Sequence, residues 1–158
     1  MVCWNKLVWE QRSLPRHNLV LWLAIIGKLK TKDRLSFLDP NTTCVLCSQG
    51  EDSHGHLFFA CTWPSSIWTK IRSWLRITRR MSTLNSALRG LKSCRNGLES
   101  RMRRVSLAIV VYLIWQERNK RVIDNNCSSV DRMFRRFQIQ FYTIFYFHEK
   151  DPSRIDDG

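Results

Sequence analysis

At 158 residues the chain has room for one domain. Hydrophobic residues make up 44 %, with seven Trp and eight Phe to fill a core, and 26 Lys/Arg against 13 Asp/Glu leave a formal net charge of +13. That balance points to polyanionic partners. The longest apolar runs, 19–26 and 105–115, fall short of the roughly 20 residues that cross a bilayer, and the start lacks the apolar stretch of a secretory signal.

The chain predicts a mainly α fold. Asn18 offers a cap to a segment Leu19–Lys30 that is apolar nearly all round and therefore buried, with Gly27 a mild defect. Thr31 is the next N-cap, Asp33 suits a first turn, and Leu35, Phe37 and Leu38 form a short apolar face before Asp39-Pro40-Asn41 breaks it.

Then comes the most specific stretch, Cys44-Val-Leu-Cys47 followed by His56 and Cys61. Two thiolates separated by two residues can reach one ion from a tight turn, and a His/Cys pair after a short loop completes a tetrahedron. Three sulfurs and one imidazole suit Zn²⁺ and leave no position for water, so the site folds protein rather than catalysing. His54 is the rival imidazole; the Leu-Phe-Phe-x-Cys context favours His56. A zinc hydrolase with His54 or Glu51 as base is disfavoured by the filled shell, and the chain is read as not an enzyme.

Beyond the loop, Thr62 can cap a helix with Pro64 in its first turn, and Ile67, Ile71, Trp74 and Leu75 set one stripe. Residues 77–100 have weak periodicity and read as a loop or loosely held helix. Val105, Ala108, Ile109, Tyr112 and Trp115 form a second stripe ending near Asp124-Asn125-Asn126. Ser128 with Asp131 resembles a capping box that opens Val130, Phe134, Phe137, Phe141 and Phe145, an aromatic face read as core, with Tyr142 and Tyr146 at its edge. Trp63, Trp68, Trp74 and Trp115 are read as core too. Residues 151–158 should fray. The expected division is a zinc-binding domain over 1–76, a basic linker or loose helix over 77–104, and a helical extension over 105–150.

The positive charge is uneven. Positions 70–104 contain eleven Lys/Arg and one acid, Glu99. Lys70, Arg72, Arg76, Arg79 and Arg80 are the leading candidates for phosphate contacts, which carry no sequence specificity. The remaining cysteines, Cys3, Cys94 and Cys127, are isolated and read as buried or incidental, and all six as thiols of a reducing, intracellular compartment.

In order, Trp22-Leu23-Ala24, Leu29-Lys-Thr31-Lys-Asp33-Arg34-Leu35, Cys44-Val-Leu-Cys47, Asp52-Ser53, His56-Leu57-Phe58-Phe59-Ala-Cys61 and Ile67-Trp68 resemble the zinc-binding domain that follows the reverse transcriptase in plant non-LTR retrotransposons and derived genes. Tyr112-Leu-Ile-Trp115-Gln-Glu117-Arg118-Asn119 resembles a helix downstream of it. Asp52-Ser53 stands where that family often has Glu-Thr. No Tyr-x-Asp-Asp polymerase motif and no spread of ribonuclease H carboxylates accompanies it, so the chain reads as a fragment or expressed remnant. The resemblance implies a structural zinc, RNA or DNA as partner, a reverse transcriptase domain as neighbour in the parent element, and a nuclear location. A scaffold that braces neighbouring domains, or a decayed transposon product, is the alternative.

Overall fold

The computed structural model describes residues 8, 9, 13–92 and 97–150, and within them five α-helices: α1 (Pro15–Ile25), α2 (Thr62–Trp74), α3 (Leu84–Lys92), α4 (Leu98–Asp124) and α5 (Val130–Lys150). The described residues contain no strand, only one antiparallel bridge, Thr43 to Glu51. Cys3, Cys94 and the tail 151–158 lie outside the described residues.

Helix α1 starts earlier than Asn18, because Pro15 at its first position has a preset φ and needs no N–H partner. Asn18 is a buried helical residue and not the cap. The helix stops at Gly27, whose φ of +63° lets the Gly27 and Lys28 N–H groups turn back to the Ala24 and Leu23 carbonyls. The glycine is thus the terminator of the helix rather than a flaw within it. Nor is α1 buried all round: Leu21 and Ala24 face the core, whereas Leu19, Trp22 and Ile26 are exposed.

Phe37 and Leu38 also depart from expectation, at 77 % and 72 % exposure. A turn closed by the Leu38 N–H on the Leu35 carbonyl puts both side chains outside.

Helix α4 is the axis of the core. From Val105 to Ile114 it is buried on nearly every side except at Tyr112, because α1, α3 and α5 all pack on it. One hydrophobic cluster runs from Leu21 through the cysteine loop to Ile144. Helix α3 opens with a reciprocal cap in which the Ser86 N–H donates to Thr83 Oγ1 and the Thr83 N–H to Ser86 Oγ. Its Ala87, Leu88 and Leu91 are buried.

The aromatic face of α5 packs as core. Trp74 at the end of α2 lies edge-on to Phe134, Phe137, Phe141 and Tyr142, with centroids 5.2–5.8 Å away for the last three. Such tilted pairs add to area burial. Tyr142 and Tyr146 are exposed. Two caps fall one residue from their predicted places. Ser129, not Ser128, caps α5, its Oγ accepting the Arg132 N–H; and Cys61, not Thr62, is the N-cap of α2.

His17 is fully buried on α1, 4.7 Å from the Tyr112 ring. Burial lowers its pKa to about 4, helped by the Arg16 charge and opposed by the nearby Gln140 side chain. A folded-state value below the unfolded 6.5 means stability is fully present above pH 6.5 and is lost as pH falls through the interval to about 4. At pH 5.5 this group alone should cost about 1.4 kcal/mol. Urea midpoints of wild type and His17→Leu between pH 7.5 and 5.5 check it: the wild type should lose ground that the variant keeps.

Candidate metal centre

The loop is built in three pieces. Asp39 and Asn41 side chains accept the Asn41 and Thr43 N–H groups, steering the chain into the bridge. The Cys44 N–H then donates to the Gly50 carbonyl (2.7 Å) and the Asp52 N–H to the Thr42 carbonyl (2.8 Å). Between them the Cys44–Cys47 turn closes through the Ser48 N–H on the Cys44 carbonyl, with Ser48 left-handed at φ 58°.

The third piece, His56–Ala60, is one wide π-helical turn whose Cys61 N–H reaches back to the His56 carbonyl. Such turns insert a residue into a helical path and re-aim side chains, often at functional sites. Here the extra residue brings His56 and Cys61 round to the same side. Leu57 and Phe58 are buried beneath, and Trp68 holds the turn by donating its indole N–H to the Phe58 carbonyl (2.7 Å) while stacking on Phe59.

The ligand atoms of Cys44, Cys47, His56 and Cys61 all lie within 4.8 Å of one another. Cys44 and Cys61 sulfurs are 3.9 Å apart, and Cys47 Sγ is 3.3 Å from His56 Nε2. A zinc tetrahedron with bonds of about 2.3 Å to sulfur and about 2.0 Å to nitrogen has edges of about 3.8 and 3.5 Å. The four residues therefore fit zinc in both donor type and spacing. Cys44 and Cys61 are fully buried, Cys47 and His56 partly so.

Of the two buried sulfurs, Cys44 sits where negative charge is favoured. Cys44 is drawn down to about 5, first by the hydrogen bond from Cys61 and then, against the cost of burial, by the Cys47 and Leu46 N–H groups. Cys61 is pushed up by that same shared hydrogen bond and by burial, with the Trp63 N–H working against it. Its place at the head of α2 adds the favourable end of the helix dipole.

Gly50 makes room for the imidazole. A Cβ at this position would lie 2.5 Å from His56 Cε1 and 2.9 Å from Nε2. Gly50→Ala should therefore displace His56 and weaken zinc binding about 10–100-fold, as loss of an orienting contact does; competition against a fluorescent zinc chelator measures it. Undiminished affinity would mean the ring moves freely.

His54 is turned elsewhere, donating from Nε2 to the Leu29 carbonyl at 3.0 Å. Glu51 is exposed at the bridge.

Helix α4 fastens the loop from outside, which spacing alone did not reveal. Asp52 is 0 % exposed, and its Oδ2 accepts from the Lys32 N–H (3.0 Å) and from Arg118 Nε (3.1 Å) and Nη2 (2.5 Å). Three residues on, Arg121 donates to the Leu46 carbonyl (3.1 Å) and, more weakly, to the Val45 carbonyl (3.4 Å), inside the Cys44–Cys47 turn. It also covers the Trp63 ring at 4.7 Å. Glu117 fixes Arg121 (2.9 Å) and accepts the Ser128 N–H (2.6 Å). Burial raises the Glu117 pKa, but the Ser128 N–H and Arg121 outweigh it and hold the group below the usual carboxylate value.

Residues 1–68 match the family described as zinc-binding in reverse transcriptase. With the four-ligand cluster inside it, this supports a reverse-transcriptase-type zinc-binding domain over that stretch. The match ends within α2, so α3, α4 and α5 lie beyond it. No curated protein and no solved structure matches the chain.

The basic candidates are spread around the end of α2. Lys70 pairs with Asp131 at 2.9 Å, both partners largely exposed. Arg72 donates to the Thr78 carbonyl (3.0 Å), and the Arg79 side chain lies across Gly90 of α3. Arg76, left-handed at φ 54°, and Arg80 are exposed. None of the described helices is long and apolar enough to cross a membrane.

Proposed function

We propose that this chain is a non-catalytic zinc module of retrotransposon origin that holds RNA or DNA on a basic surface, beside a polymerase domain in the intact element. The observation that carries the reading is the convergence of three sulfurs and one imidazole on one centre. Four protein donors fill a tetrahedron, so zinc here braces the fold and offers no place to activate water. Thiolate ligands suit a reducing compartment, and a nuclear location fits the partner.

The charge supplies the second half. The sequence holds eleven Lys/Arg against one acid over positions 70–104, and among them Arg76, Arg79 and Arg80 are exposed. The Lys70–Asp131 pair is solvated and worth little, so Lys70 can exchange Asp131 for a phosphate. If Lys70, Arg72, Arg76, Arg79 and Arg80 neutralise about five phosphates, log K should fall with log salt at a slope of about −3.5 to −4.5. Fluorescence anisotropy with a labelled oligonucleotide at several salt concentrations measures this. A flat salt response would remove nucleic acid from the account.

The exposed Leu19 and Trp22 on α1, with Ile26 just past its end, favour a second reading. A scaffold that braces a neighbouring domain would use such an apolar stripe. It predicts no salt-dependent binding and no effect of Arg76→Ala with Arg80→Ala.

A further inference from the structure

A cavity of about 310 Å³ opens between α4 and α5, lined by Gln116, Glu117, Lys120, Ser128, Arg132 and Arg136. Its size is at the lower end of ligand sites. We propose that it is a phosphate pocket that seats the backbone of a nucleic acid strand, held by Lys120, Arg132 and Arg136. This rests on the nucleic-acid reading above and names a site for it.

Charge makes the case. Glu117 is the only acid in the lining; its Oε1 accepts from Arg121 and the Ser128 N–H, and its buried Oε2 has no hydrogen-bond partner. Asp131, the acid in the first turn of α5, is paired with Lys70 on α2 and does not line the cavity. Three cations therefore line one concavity against a single carboxylate.

The pocket is also held in shape. Arg136 Nη2 donates to Gln116 Oε1 at 2.9 Å, and Nη1 reaches Met133 Sδ at 3.5 Å, so this guanidinium is set in place. Ser128 is buried, anchored to Glu117 through its N–H and to Arg121 through its carbonyl (3.2 Å). Arg132 is exposed and Lys120 partly so, which leaves both free to close on an anion. Of the candidates around the end of α2, Arg72 is already engaged by the Thr78 carbonyl.

The test is anisotropy with a labelled single-stranded oligonucleotide on the zinc-loaded 158-residue chain. Lys120→Ala with Arg132→Ala should weaken binding at least about tenfold and flatten the salt slope by about 1.4. A charge-matched control, Arg34→Ala with Arg135→Ala, should change affinity less than about threefold. Zinc content and the melting curve confirm folding; Arg132→Glu, at an exposed site, serves if the double variant does not fold. Adenosine monophosphate at millimolar concentration should fail to displace the strand. Should wild type bind while the pocket variant loses no more than the control, the pocket is overturned and the nucleic-acid reading stands. Absence of any binding by wild type sinks both. Pocket-dependent binding of the mononucleotide without polymer binding would make the ligand a free nucleotide and overturn the backbone assignment.

Discussion

Stripping zinc from the protein should collapse residues 40–65 and lower apparent stability by about 10–16 kcal/mol at neutral pH, the range found for structural zinc in small domains. The magnitude follows from what the loop lacks without metal. It has one β-bridge and one π-turn, and Cys44 and Cys61 are fully buried sulfurs that would sit 3.9 Å apart with only a shared proton between them. A strong chelator should therefore change the fluorescence of Trp63 and Trp68, which rest on this loop. The Trp74 cluster on α5 makes no use of the metal and should retain helicity longer. Cys47→Ser should reproduce the chelated state at a partly exposed position, where packing loss is small. Cys127→Ser, at an exposed free thiol, should leave zinc content and melting unchanged. Equal effects of the two substitutions would argue against a metal role for Cys47.

Arg118→Ala should destabilise the zinc-loaded protein by about 3–5 kcal/mol and weaken zinc binding about 10–100-fold. The reason is the partner left behind. Asp52 is completely buried; without Arg118 its Oδ2 keeps only the Lys32 N–H, and Oδ1 has no hydrogen-bond partner. An isolated buried carboxylate is far costlier than the lost attraction. Asp52→Asn in the same background should recover part of the loss, because it removes the stranded charge while keeping an acceptor. Arg118→Lys should not rescue, since one ammonium cannot reproduce the Nε and Nη2 pair on one oxygen. Urea midpoints in the presence of zinc give the four corners of a double-mutant cycle. Additive losses would show that the two residues act independently.

The cluster of Cys44, Cys47, His56 and Cys61 that could hold a metal was legible because sulfur donors in a Cys-x-x-Cys turn are constrained locally: short chain segments fix which atoms can meet. Helix periodicity likewise exposed α2, α4 and α5, since one-sided apolar stripes follow from the 3.6-residue turn. The clamp was not legible. Asp52 and Arg118 stand 66 positions apart, and nothing in either segment announces a buried ion pair. The resemblance had marked Asp52-Ser53 and Glu117-Arg118 as separate elements; the fold gives them one physical reason, because together with Arg121 they lock the cysteine loop onto α4.

Other departures are local. Pro15 moved the start of α1, and Gly27 ended it, because a preset φ and a left-handed turn set helix ends that the apolar pattern does not mark. The exposure of Leu19 and Trp22 shows that composition alone does not orient a helix. Helix α3 did carry a signal, Leu84, Ala87, Leu88 and Leu91 behind a Thr83–Ser86 cap, but Arg and Gly residues around it diluted the periodicity.

X-ray absorption at the zinc edge of the purified chain tests the central claim most directly. One zinc per chain should be found, with three sulfur neighbours at about 2.3 Å and one nitrogen at about 2.0 Å. An oxygen neighbour in the shell, fewer than three sulfurs, or no bound zinc would contradict it.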